Sequence, residues 1–133
     1  MQCVATVEKT TPLTIHVSLR QDADATGPLL VPRVLEPLGT FVSMSIIDDA
    51  GAVAFETRPV KFTPKLGPSD PRAYVELDPG YAWGRSFVLD RAALGAGTYE
   101  LQVEFSNLSF QGPTDRHVGA LACGTRLTFE MTP

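Results

Sequence analysis

Two histidines, two cysteines and a few closely spaced carboxylates are the side chains of this 133-residue sequence best suited to catalysis or metal binding. A nucleophilic site needs a serine or cysteine held against a histidine that an acid orients. No G-x-S-x-G elbow occurs. His16 falls on the polar side of the alternating run Leu13, Ile15, Val17, Leu19, where a solvated imidazole is the expected state. His117 stands in Asp115-Arg116-His117, six residues before Cys123, and Cys123 lies on the approach to a strand-like run, the setting of a packed thiol. No catalytic residue is assigned, and the chain is not expected to be an enzyme.

Metal chemistry finds little more. Asp22-Ala23-Asp24 and Asp48-Asp49 offer oxygen ligands, but a calcium site needs six to eight, and the first cluster lacks the glycine and distal glutamate of an EF-hand. No metal or other cofactor is expected. Cys3 and Cys123 form no C-x-x-C pair, which removes zinc ribbons and thioredoxin-type redox sites. They are either two buried thiols or, in an oxidising compartment, a bond closing a loop of about 120 residues, worth about 4–5 kcal/mol in the chain-entropy model. Met1-Gln2-Cys3 enters strand-like sequence without a charged and apolar leader. The expectation is an intracellular protein, or an exported one whose signal has been removed. Asn107-Leu108-Ser109 matches a glycosylation sequon, a three-residue match of low specificity.

The elements that position these residues follow from breakers and periodicity. Eleven glycines and 11 prolines are spread through the chain, and the longest stretches free of both, residues 13–26 and 98–111, are 14 residues each. That excludes a helical membrane span of ~20 residues and repeated strand–helix units. With 44% hydrophobic residues and a net charge of −4, disorder is disfavoured. The expectation is one domain over residues 1–133. No Lys/Arg block exists to meet phosphates or anionic lipid, so nucleic acid and membrane surfaces are not expected partners. The bias to Arg over Lys, with Ala, Gly and Pro plentiful and a single Asn, reads as the signature of the source genome.

Apolar residues recur with period two. Tyr99, Leu101, Val103 and Phe105 alternate with polar neighbours, as do Leu127, Phe129 and Met131, while residues 41–47 are less polar and read as a central strand. Asp48-Asp49-Ala50-Gly51 marks a hairpin to a strand at 53–57, and Leu77-Asp78-Pro79-Gly80 ends a strand at 74–77. A short strand is expected at 86–89, then one helical turn over 90–94 capped by Asp90. Pro28, Pro32 and Pro37 make 27–38 an edge or an irregular crossover. Such spacing indicates a β-sandwich.

Leu94-Gly95-Ala96-Gly97-Thr98-Tyr99 resembles the tyrosine corner of immunoglobulin-like sandwiches, in which the hydroxyl bonds to upstream backbone; this implies that Tyr99 pins the crossover between sheets. Together with Leu77-Asp78-Pro79-Gly80, Phe87-Val88-Leu89 and the stretch from Gly119 to Phe129, it makes residues 40–131 similar to bacterial immunoglobulin-like modules. These include the intracellular proteinase inhibitor domain and the sandwich of deuterolysin-type metallopeptidases. The resemblance implies an immunoglobulin-like antiparallel sandwich of seven to nine strands. The H-E-x-x-H zinc motif of deuterolysins is absent, so no peptidase activity carries over.

Function in such a scaffold is expected in its loops. Residues 106–119 form the longest, with Phe110, Arg116 and His117 as leading contact residues; Tyr81-Ala82-Trp83 places two aromatics beside a turn. The alternative for Trp83 and Phe110 is that they cap the core. A third segment, 61–72, is stiffened by Pro64, Pro68 and Pro71. The expectation is a non-catalytic protein-binding or adhesion module with a protein partner of unknown identity. An inhibitor of a peptidase or toxin, and a structural subunit of a larger assembly, are the alternatives.

Overall fold

Alternating sequence becomes strands wherever one face can be buried. The computed structural model describes residues 1–61, 63–89 and 92–133. It is all-β, with antiparallel sheets in an arrangement consistent with a β-sandwich. One sheet has the order β1 (Gln2–Thr10), β2 (Leu13–Arg20), β7 (Ala82–Val88). A second has the order β5 (Val53–Glu56), β4 (Val42–Asp48), β8 (Gly97–Ser106), β9 (Ala122–Met131). A two-stranded ribbon joins β3 (Leu29–Pro32) to β6 (Tyr74–Leu77).

The core draws on both larger sheets. Ile15, Val17 and Leu19 of β2, Val42, Met44 and Ile46 of β4, and Leu101, Val103 and Phe105 of β8 are buried in one cluster. β9 fully buries only Phe129 and leaves Cys123, Leu127 and Met131 half-buried, as an edge strand should. Cys3 and Cys123 are joined, with Cα atoms 5.6 Å apart, so the disulfide ties edge strand β1 of one sheet to edge strand β9 of the other.

Several expectations change in extent. β1 runs for nine residues, with a bulge between Val7 and Lys9 that hides its alternation. β7 begins at Ala82, before the expected 86–89 strand, and passes through Gly84, where a Cβ would lie 2.6 Å from the Val17 carbonyl oxygen. The 27–38 segment contains β3 as a short paired strand. The helical turn expected over 90–94 is absent from residues 92–94, which are non-helical; Asp90 and Arg91, and with them the proposed cap, lie outside the described residues. Both turns form as read: Gly51 N–H donates to the Asp48 carbonyl (3.0 Å) and Tyr81 N–H to the Asp78 carbonyl (3.0 Å).

Register sets the two ends of the molecule. Gln2 pairs with Arg20, Arg20 with Ala82, Val42 with Phe105 and Ser106 with Ala122. The Cys3–Cys123 link shows that these pairs share one end. The segments 33–41, 57–61, 63–73, 78–81 and 107–121 therefore gather there. At the opposite end, the buried Tyr99 donates its hydroxyl to the Gly95 carbonyl at 2.8 Å and stacks on Phe129.

Candidate functional site

Residues 107–121 form a closed loop built on one side chain. Asn107, 1% exposed, donates from Nδ2 to the Gly119 carbonyl (2.9 Å), while its Oδ1 accepts the Leu121 amide (2.9 Å). Backbone adds Asn107 N–H to Leu121 O (3.1 Å), Phe110 N–H to Asn107 O (2.8 Å) and Val118 N–H to Gln111 O (2.7 Å). These bonds make a compact loop with joined ends, of the kind that carries its own packing. The same bonds bury and occupy the amide nitrogen of the Asn107 sequon.

Phe110 does not project from this loop as a free contact. It is 8% exposed and meets Phe41 edge-on at 5.1 Å and Tyr74 at 6.2 Å. Of the two positions expected for Phe110, loop contact or cap of the core, the structure shows the second, which suits an aromatic ring better than water does. Arg116 and His117 are exposed, and Arg116 Nη1 donates to Glu76 Oε1 of β6 at 2.7 Å. Tyr81 is 67% exposed, whereas Trp83 is half-buried and donates Nε1–H to the Arg33 carbonyl at 3.0 Å.

The β3–β6 ribbon stands between the two groups. Arg33 donates from Nη2 to the Tyr74 carbonyl (2.8 Å) and from Nε to the Arg72 carbonyl (3.1 Å), linking the Trp83 side to β6. Tyr74, the first residue of β6, donates its hydroxyl to the Pro68 carbonyl (2.5 Å) and accepts the Gly112 amide (3.1 Å). One phenol thus joins the proline-rich segment to the 107–121 loop. Burial pushes the Tyr74 pKa up, because it penalises the phenolate, and the Gly112 amide opposes this. Gly112 has φ +104°, and a Cβ there would run into the Arg116 carbonyl. Nearby, hydrogen bonds from Arg72 hold the Asp70 carboxyl below its usual range and raise the Arg72 pKa in return.

Between these segments lies a pocket of about 600 Å³ floored by Phe41, Phe110, Ala73 and Pro32. Pro64, Leu66 and Val34 form its apolar walls. Sequence reasoning pointed to the segments but missed Arg33, Tyr74 and Asn107 as the residues that join them. Only Asn107 carried a signal, being the single asparagine of the chain.

The residues with catalytic types are not brought together: His16 lies on a strand of the three-stranded sheet, and His117 on the 107–121 loop. His16 Nδ1 lies 3.1 Å from Ser86 Oγ on the wet face of the β1–β2–β7 sheet, but the Ser86 hydroxyl donates to Glu8 Oε1. Glu8 takes the serine proton, and Glu8 Oε1 lies 3.9 Å from the same His16 Nδ1, so the imidazole is not placed as a base that takes the serine proton. Cys123 is in the disulfide and supplies no thiolate to His117. Among the described residues, no group of three or more His, Cys, Asp or Glu is placed to hold a metal ion, and no helix is long and apolar enough to cross a membrane. No protein-family model matches the chain, and no curated protein or solved structure matches it.

Proposed function

We propose that this chain is an immunoglobulin-like sandwich that works as a non-catalytic protein-binding module through its loop-bearing end. The observation that carries the reading is convergence: Tyr81, Arg116, His117 and the proline-rich segment come from distant stretches, and strand register brings them to one end. Binding surfaces are assembled this way from loops on a fixed scaffold. The Tyr99–Gly95 hydrogen bond supports the immunoglobulin-like type, since it is the bond that the corner motif implies. The inhibitor reading draws on one further feature. Tyr74 staples Pro68 to Gly112, so the exposed residues 67–69 are presented with part of their ordering entropy already spent.

The test is capture of a partner from the source organism, by the parent and by a Tyr81→Ser, Arg116→Ala, His117→Ala variant. Phe110 is left intact because it packs in the core. With an unchanged melting temperature, the variant is expected to retain at least tenfold less partner. Equal retention would place the binding surface elsewhere, on a sheet face or edge.

A further inference from the structure

The pocket at the loop-bearing end carries an inference separate from protein binding. Its body is apolar, and every ionisable side chain lining it is basic: Arg33, Lys65 and Arg72. The chain as a whole carries a net charge of −4, so this local excess of cations is not a reflection of composition. The neighbouring carboxylate Asp70 is committed to Arg72 through bonds of 2.9 and 3.2 Å. Lys65 has no ion-pair partner among the described residues. The Arg33 guanidinium is fixed by two backbone carbonyls, which orient it without neutralising it.

We propose that this pocket binds a small amphipathic carboxylate, with its apolar tail against Phe41, Phe110 and Leu66 and its head group at Lys65 and Arg33. The volume, about 600 Å³, falls among small-molecule sites. A single side chain inserted from a protein partner would leave much of that space unfilled, and unfilled space forfeits packing contacts. An apolar tail gains from leaving water, while the head group stays at the rim where the cations are. A cationic or neutral molecule with the same tail would keep the first gain and lose the second.

The probe is octanoate, titrated into the ¹⁵N-labelled protein and followed by amide shifts. Octan-1-ol and octyltrimethylammonium provide the same tail with a neutral and a positive head. Saturable octanoate shifts confined to Val34, Leu66, Ala73 and Phe110 are expected, with octan-1-ol at least tenfold weaker and the ammonium weaker still. Lys65→Glu should weaken octanoate at least tenfold and leave octan-1-ol unchanged. Val34→Asp, at an exposed position of the wall, should weaken both. Non-saturable shifts, shifts centred elsewhere, or equal affinity for the three head groups would overturn the proposal. So would tighter binding of an acetylated, amidated Glu-Leu-Phe-Glu peptide at the same residues, which would make the pocket a peptide site. Partner capture by the loop surface is unaffected by any of these results.

Discussion

Asn107 is the side chain on which the long loop depends, and its replacement is the sharpest check of the architecture. Asn107→Ala removes two hydrogen bonds, to the Gly119 carbonyl and from the Leu121 amide, both 2.9 Å. A net ~1 kcal/mol for each bond, plus the cost of leaving half-buried partners unpaired, gives a loss of roughly 2–4 kcal/mol. Total stability for such a domain is about 5–15 kcal/mol, so the change is large. Trp83, the only tryptophan, reports unfolding by fluorescence, and the urea midpoint should fall by roughly 1–2 M. Asn107→Asp refines the test. At neutral pH it turns a donor into a charged acceptor facing the Gly119 carbonyl, in a site that is 1% exposed. The Leu121 amide still donates to the carboxylate, but burial and the opposing carbonyl dominate, so the folded state should hold the new proton more tightly than the unfolded chain. The deficit relative to the parent should then shrink as pH falls from 7 towards the unfolded carboxyl value of about 4. A midpoint for Asn107→Asp equal to the parent's at pH 7 would refute the clamp.

Tyr99→Phe removes a buried hydroxyl bonded to Gly95 and should cost about 1–2 kcal/mol in chemical denaturation; an unchanged midpoint would count against the corner. Tyr74 gives a pH dependence of known sign. Its folded pKa is raised, so its stabilising contribution is complete below about 10 and declines as pH rises through the folded value, a loss that Tyr74→Phe should abolish in alkaline melts. Intact mass of the non-reduced, denatured protein should be two hydrogens short of the dithiol, and reduction should lower stability by about 4–5 kcal/mol for a separation of 120 residues. Two titratable thiols in an air-exposed sample would remove the bond.

How much of this was legible in the sequence depended on how local the determining physics was. β2, β4 and β8 are the interior strands of their sheets, bury every second residue, and were readable directly from Leu13–Leu19, Val42–Ile46 and Tyr99–Phe105. β1 was legible as a strand-like start at Met1-Gln2-Cys3 but not in its extent, because its inward residues, Cys3, Ala5 and Val7, are small or half-buried and a bulge breaks their period. β7 was read short because Gly84 looks like a breaker. Its reason is a neighbour 67 positions away, the Val17 carbonyl, and no window along the chain contains both. The disulfide was open for the same reason: only the juxtaposition of two edge strands decides between a bond and two thiols.

At the functional end, the limit was of a different kind. Loop length and residue type identified 106–119, 61–72 and Tyr81–Trp83, and those signals concern what a segment can present. What decides presentation is where side chains find their partners. Phe110 had no strand partner in the sequence, which is equally true of a residue aimed at water and of one wedged between Phe41 and Tyr74. Arg33 and Tyr74 act by bonding backbone carbonyls, groups that every residue carries, so no pattern of residue types reveals them. The same bonds that hide these residues from a sequence reading also fix the walls of the pocket. A rim cation anchored by backbone carbonyls keeps its charge, whereas one anchored by a carboxylate, like Arg72 on Asp70, gives most of it away. The difference between Arg33 and Arg72 is therefore the physical reason to expect the head group of a ligand on the Arg33–Lys65 side.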